Sequence, residues 1–178
     1  ERLIDEKKLG YMATLRNLNN FMKYKISHEH MKKVCNFISN PEAVLKSKQF
    51  PFRFLSAYRI LDTEEYRQNC YVNYNSFETN KKYNPNIIKD IKEALETAVK
   101  ISMNNVNGFD ENTRTLIACD VSSSMYKTIN DKSIIGMYDI GLLLGQLIQL
   151  KCKKVITGFF GDTWKEVDIT SPTPIKNT

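Results

Sequence analysis

The chain has 178 residues, of which 42% are hydrophobic and 26% are charged, and its formal net charge is +6. This composition is ordinary for a globular protein and allows a core in one large or two small domains. No apolar run approaches the roughly 18 residues that a membrane helix needs, and the charged N-terminus lacks the apolar segment of a secretory signal. The four cysteines are scattered without a C-x-x-C pair, which argues against a zinc cluster. A cytoplasmic protein without a membrane partner is therefore expected.

The positive charge is concentrated in the first part of the chain. Residues 1–110 contain 18 Lys and Arg against 13 Asp and Glu, a net charge of +5, whereas residues 111–178 have a net charge of +1. A polyanionic partner is therefore expected to bind the first part. A solvated basic surface that binds nothing would give the same charge pattern.

Hydrophobic periodicity predicts helices at the start of the chain. Apolar residues recur at three- and four-residue spacing over residues 10–24, which is typical of an amphipathic helix. A second helix is expected after Ser27, whose side chain can cap it. Pro41 and Pro51 then stand at positions where proline favours the first turn of a helix.

The helical pattern weakens and then returns. Residues 62–83 have no clear period and are interpreted as a connecting loop with some helical start. A long helix is expected over residues 84–104, closed by Asn107-Gly108. Short helices joined by brief turns are typical of helical repeat stacks.

The second part of the chain alternates strand and helix. The apolar run at residues 115–119 predicts a strand buried on both faces, residues 134–150 predict an amphipathic helix, and residues 153–160 predict the next strand. Residues 164–169 are interpreted as the edge partner of a hairpin. Strand–helix–strand order implies a right-handed crossover and a parallel sheet. Ligands of such sheets collect at the carboxyl ends of the strands.

A group of oxygen-bearing side chains follows the first predicted strand, in Asp120-Val121-Ser122-Ser123-Ser124. The carboxylate of Asp120 supplies charge, and the hydroxyls of Ser122 and Ser124 supply neutral hard oxygens. Mg²⁺ prefers octahedral oxygen ligation and usually keeps several waters. Neutral hydroxyls leave the ion electrophilic, so an external carboxylate or phosphate can complete its shell. The loop therefore predicts a site for Mg²⁺ or another divalent cation.

This D-x-S-x-S loop resembles the first loop of the metal-ion-dependent adhesion site (MIDAS) in von Willebrand factor A-type domains. The segments MATLRNL at residues 12–18 and PFRFLSA at residues 51–57 resemble signature helices of the Ro (TROVE) family. Proteins of that family join a ring of helical repeats to an A-type domain and bind small noncoding and misfolded RNAs. The order of elements matches over most of residues 9–168.

The resemblance implies a fold of the α plus α/β class. A HEAT-like helical-repeat segment that binds RNA is expected over residues 1–110. A partial von Willebrand A-type domain, Rossmann-like with a parallel sheet, is expected over residues 111–178. The family's second and third ligand loops, which supply a Thr and an Asp, have no counterpart in this sequence. The remaining strands of the A-type domain are therefore expected from another chain or from missing polypeptide.

The function that the resemblance implies is that of a ribonucleoprotein. Such a protein binds small noncoding or misfolded RNA through a basic helical surface and carries a Mg²⁺ site of the adhesion type, at which a protein partner can bind. The sequence offers no nucleophile–base pair, glycine-rich phosphate loop or triad histidine, so no enzymatic activity is expected. The alternative is a scaffold or adhesion protein that binds a partner carboxylate through the metal, with an incidental basic surface.

Six basic residues are candidates for RNA contact. Arg16 and Arg53 stand inside apolar helical signatures, where a guanidinium either pairs with a buried acid or a helix C-terminus, or faces RNA phosphates. The other four candidates are Lys23, Lys25, Lys32 and Lys33. These lysines fit either a solvated face or an RNA contact. Three tyrosines are interpreted as structural residues or as stacking partners for bases, namely Tyr11, Tyr24 and Tyr58.

Overall fold

The computed structural model describes residues 1–72, 84–105, 109–130, 133 and 135–168, with only the backbone at residues 64–72. The chain divides into two compact units, residues 1–102 and residues 103–178. The division follows Ser102, whereas the sequence placed it after residue 110. Among the described residues, no helix combines the length and the apolar character that crossing a membrane requires.

The first unit is helical throughout its described residues. Its helices are α1 Arg2–Asp5, α2 Tyr11–Arg16, α3 Leu18–Lys23, α4 His28–Ile38, α5 Pro41–Ser47, α6 Pro51–Val72 and α7 Pro85–Ser102. The predicted cap at Ser27 is confirmed, because its Oγ accepts a hydrogen bond from the backbone N–H of His30 at 3.2 Å. Asn40 caps α5 in the same way, with Pro41 in the first turn. Side-chain caps of this kind satisfy backbone donors that a helix leaves unpaired.

Two helical predictions are corrected by the structure. The single helix expected over residues 10–24 is instead α2 and α3, separated at Asn17. The Asn17 side chain donates to the carbonyl of Ala13 at 2.8 Å, and this local bond competes with continuation of the helix. The loop expected from residue 62 is helical as far as Val72, because this stretch lacks the glycine and proline that end helices. The predicted loop at residues 73–83 and the Asn107-Gly108 stop lie outside the described residues.

The core of the first unit includes a buried aromatic cluster between α2, α4 and α6. Phe54 is fully buried, and its ring meets Tyr11 edge-on with centroids 6.3 Å apart. The Tyr11 hydroxyl donates to the carbonyl of Ile38 at 2.6 Å, which joins α2 to the end of α4. Burial raises the pKa of Tyr11. Tyr11 is therefore a structural residue, one of the two roles that the sequence left open.

The second unit contains a three-stranded sheet and one long helix in its described residues. Its elements are β1 Arg114–Asp120, α8 Met137–Gln149, β2 Lys154–Phe160 and β3 Trp164–Glu166, with 3₁₀ turns at Met103–Asn105 and Ser123–Tyr126. β1 pairs in parallel with β2, and β2 pairs antiparallel with β3. The predicted parallel pair and edge hairpin are thereby confirmed. α8 begins later than the predicted residue 134, because Gly136 forms a bridge with Thr128 before the helix starts.

The described part of the sheet is covered on one face. Ile117 and Cys119 are buried beneath α8, but Leu116 is 67% exposed and its neighbour in register, Ile156, is 51% exposed. The prediction of a strand buried on both faces is therefore wrong for the described residues. An apolar run cannot show by itself whether helices pack on one side of a sheet or on both.

α8 packs closely against β1 at Gly145, where a Cβ would lie 2.7 Å from Cys119 Sγ and 3.3 Å from Ile117 Cγ2. At Gly141, one turn earlier, nothing lies within 4 Å of the same position. Gly145→Ala is expected to lower the free energy of unfolding of this unit by about 1–3 kcal/mol through overpacking. Gly141→Ala should raise it by up to about 1 kcal/mol, since alanine favours helix.

Urea unfolding followed by the fluorescence of Trp164, the single tryptophan of the sequence, measures both glycine variants within the second unit. The prediction requires opposite signs for the two substitutions. A stabilising Gly145→Ala substitution would show that α8 does not approach the sheet this closely.

Candidate metal loop and basic groove

The loop after β1 brings together the three predicted metal ligands. Asp120 ends the strand, and its Oδ1 accepts a hydrogen bond from the backbone N–H of Ser122 at 2.9 Å. The hydroxyl oxygens of Ser122 and Ser124 lie 3.1 Å apart. Hydrogen bonds from the side chain and backbone of Ser122 hold the pKa of Asp120 below its usual value, so the carboxylate is ionised at neutral pH.

The loop is fixed to the carboxyl ends of both parallel strands. The backbone N–H of Val121 donates to the carbonyl of Phe160 at 2.8 Å, directly beyond the pair of Asp120 and Phe160 in the strand register. A 3₁₀ turn at Ser123–Tyr126 then carries Ser124. This edge is where ligands of parallel sheets bind.

The chemistry of the loop fits a hard cation, but its charge is small. One carboxylate and two hydroxyls supply about three of the six oxygens that Mg²⁺ requires. Among the described residues, no cluster of three or more His, Cys, Asp or Glu is placed to bind a metal ion. The loop of Asp120, Ser122 and Ser124 can therefore hold Mg²⁺ only with water or an external anion in the remaining positions.

Arg16 and Arg53 line the same groove of the first unit, although they are 37 positions apart in the sequence. We call this the arginine groove; it has a volume of about 170 Å³ and lies between α2, α3 and α6. Its apolar lining consists of Met12, Leu15, Leu18, Ala57, Ile60 and Leu61. Both arginine side chains are exposed.

The polar groups of the arginine groove have few partners. Within the part of the chain that the structure describes, neither guanidinium pairs with a carboxylate. Arg53 instead lies over the ring of Phe52, with 5.3 Å between Cζ and the ring centroid. Asn19 also lines the groove, and its buried Oδ1 has no hydrogen-bond partner there. Both guanidiniums are exposed, and Arg16 also stands in the last turn of α2, where a cation interacts favourably with the helix C-terminus. The two roles that the sequence allows for Arg16 and Arg53 therefore both stay open.

Lys33 lies away from the arginine groove and is engaged by acids. Its Nζ lies 2.8 Å from Asp5 Oδ1 and 3.0 Å from Glu29 Oε1, and these contacts raise the pKa of Lys33. Lys33 lines a second groove, of about 840 Å³, between α1, α2, α4 and α5. Its charge is therefore partly balanced within the protein.

The other three candidate lysines are exposed and lie outside the lining of the arginine groove. Lys23 ends α3, with its ammonium 5.9 Å from the ring centroid of Tyr24. Lys25 follows in a left-handed backbone conformation, with a φ of 50°. Lys32 is exposed on α4.

Of the other tyrosines considered for stacking, Tyr24 is exposed and Tyr58 is buried.

Two aromatic residues beside Arg53, Phe50 and Phe52, were not among the site residues predicted from the sequence. Phe50 is 67% exposed, and its ring stacks on that of Phe52 with centroids 5.8 Å apart and an interplanar angle of 9°. Phe50 precedes α6 and therefore falls outside the helical periodicity used to assign apolar faces. The available signal was an aromatic residue on each side of Pro51, next to an arginine.

Comparison with known proteins agrees with the helical signatures. Residues 1–81 match the TROVE domain family. Telomerase protein component 1 of Rattus norvegicus is 46% identical over 65 residues, and that of Mus musculus is 45% identical over 65 residues. Each alignment covers 36% of this chain and 2% of the relative.

The fold of the chain is similar to that of a solved structure. The crystal structure of the Deinococcus radiodurans Ro (RSR) protein superposes with a TM-score of 0.61 and 19% identity, over 94% of this chain and 32% of that one. At this identity the likeness shows the fold alone, a helical part together with a small mixed sheet. The von Willebrand A-type assignment of the second unit stays a prediction. Residues 1–81 of this chain are therefore similar to the TROVE domain family, as the helical signatures predicted.

Proposed function

We propose that this chain binds RNA through the arginine groove and the surface around it. The observation that carries the proposal is the convergence of Arg16 and Arg53 on one groove, with no carboxylate partner among the described residues. A guanidinium binds phosphate oxygens through parallel hydrogen bonds, and two of them on one groove can hold neighbouring phosphates. The net charge of +5 over residues 1–110 adds long-range attraction for a polyanion.

The match of residues 1–81 to the TROVE domain family supports a ribonucleoprotein role. We propose that the helices of residues 1–102 act as a helical-repeat surface for small noncoding or misfolded RNA, and that the chain has no catalytic activity of its own. The relatives are named as components of telomerase, so we also propose that this chain works within a larger assembly. Of the six basic candidates, Arg16 and Arg53 have the leading role, because they line one groove. Lys33 contributes less, because it is engaged by Asp5 and Glu29.

The experiment that tests this function is direct binding of a labelled small RNA, structured but with a single-stranded 3′ end, followed by fluorescence anisotropy. Binding should weaken steeply as KCl rises, because phosphate contacts release counterions, and it should persist in EDTA. The absence of RNA binding, together with EDTA-sensitive capture of an acidic peptide, would instead favour a scaffold that binds carboxylates through the metal.

We further propose that Asp120, Ser122 and Ser124 bind Mg²⁺ or another divalent cation weakly. Isothermal titration calorimetry of the 178-residue chain with MgCl₂ should show a Kd in the millimolar range, because water must fill about half of the coordination shell. Asp120→Asn should abolish this heat, since it removes the one carboxylate among the three ligands. Submicromolar affinity, or an unchanged titration of the Asp120→Asn variant, would contradict the assignment.

A further inference from the structure

Three side chains at the start of α6 and directly before it form one layered unit. The rings of Phe50 and Phe52 are nearly parallel, and the guanidinium of Arg53 lies over the ring of Phe52. The backbone N–H of Arg53 donates to the carbonyl of Phe50 at 2.9 Å, which ties Phe50 to the first turn of the helix across Pro51. We call the side chains of Phe50, Phe52 and Arg53 the aromatic platform.

The aromatic platform is not part of the core. Phe54, four residues after Phe50, is fully buried, whereas Phe50 is 67% exposed. The platform therefore presents a large flat ring to solvent, and its nearly parallel partner and the start of the helix hold that ring in place. An aromatic ring held in this way can stack on another planar group with little loss of conformational entropy.

Charge identifies the kind of planar group that fits beside this ring. Arg53 belongs both to the aromatic platform and to the arginine groove, where Arg16 supplies a second guanidinium. Neither has a carboxylate partner among the described residues, so the surroundings of the platform suit an anion. A nucleotide joins a planar base to an anionic phosphate, and proteins bind single strands by combining stacking aromatics with cations along the backbone.

We propose that the aromatic platform stacks one unpaired base of the bound RNA on Phe50, while Arg53 and Arg16 contact the adjoining phosphates. This inference rests on the proposed RNA binding and adds to it a stacking site. Only an unpaired base exposes its face to such a ring. The stacked nucleotide must therefore lie in the single-stranded part of the RNA.

The test uses the whole 178-residue chain and an RNA with 2-aminopurine in its single-stranded 3′ end. Phe50→Leu removes the stacking ring, Phe50→Trp keeps one, and Phe109→Leu is the matched control at a phenylalanine that is 56% exposed in the other unit. Phe50→Leu should weaken binding about tenfold. It should also reduce the quenching of 2-aminopurine and leave the salt dependence unchanged, since no charge is lost.

Phe50→Trp and the control Phe109→Leu should behave like the unsubstituted chain in affinity and quenching. If Phe50→Leu binds as tightly as the unsubstituted chain while Arg16→Ala weakens binding, the proposed function stands and the stacking site is wrong. If Phe50→Leu lowers the unfolding midpoint together with affinity, Phe50 is a packing residue and the inference also fails. If the unsubstituted chain binds no RNA, both proposals fail.

Discussion

Replacing both Arg16 and Arg53 with alanine is expected to weaken RNA binding about a hundredfold and to leave the fold intact. Hydrogen bonds to charged groups contribute about 1.5–3 kcal/mol each, so the loss of two at the low end of that range gives this factor. Both side chains are exposed, and neither has a carboxylate partner among the described residues, so their removal breaks no ion pair seen there. Fluorescence anisotropy at one fixed KCl concentration measures the change.

Lys33→Ala is the matched control, because it removes one positive charge from the same unit but outside the arginine groove. Asp5 and Glu29 already balance part of that charge, so the affinity of this variant should fall by no more than a few-fold. The double arginine variant removes two charges and Lys33→Ala removes one, so losses of binding free energy in a ratio of about two to one would mean that the net charge attracts RNA and that the groove does not bind it. Unfolding of the double arginine variant would make both residues structural.

Phe54→Ala is expected to lower the free energy of unfolding of the first unit by about 3–5 kcal/mol. The side chain is fully buried and meets Tyr11 edge-on, so truncation removes transfer free energy and leaves a cavity. A loss of this size is a large part of the 5–15 kcal/mol that stabilises a typical domain. Urea unfolding followed by circular dichroism at helical wavelengths measures it.

Phe50→Ala is the control for this substitution, since it removes the same ring four residues away, at an exposed position. Its effect on stability should stay within about 0.5–1 kcal/mol. Similar destabilisation by both substitutions would show that Phe50 also belongs to the core, and it would remove the physical basis of the aromatic platform.

Features that depend on neighbouring residues in the sequence could be predicted. The cap at Ser27 and the helix start at Pro51 follow from local backbone chemistry, and the structure contains both. The loop of Asp120, Ser122 and Ser124 spans five consecutive residues after a strand, so its geometry is equally local. Periodicity overestimated the length of the first helix, because the bond from the Asn17 side chain carries no apolar signal.

Features that depend on tertiary packing could not be predicted. Charge counting assigned the basic character to residues 1–110, but only the packing of α2 and α3 against α6 brings Arg16 beside Arg53. The same packing sends Phe54 into the core and leaves Phe50 in solvent, although the two phenylalanines are only four residues apart. The exposed face of β1 was missed for a related reason, because an apolar strand does not show which of its faces a helix covers.

The salt dependence of RNA affinity tests the central claim, that the arginine groove contacts RNA phosphates. The slope of log K against log[KCl] should be measured for the unsubstituted chain and for the variant with alanine at Arg16 and Arg53. Two lost phosphate contacts to a single strand should make the slope shallower by about 1.4. Identical slopes for the two proteins would contradict the claim, because they would place every phosphate contact elsewhere on the chain.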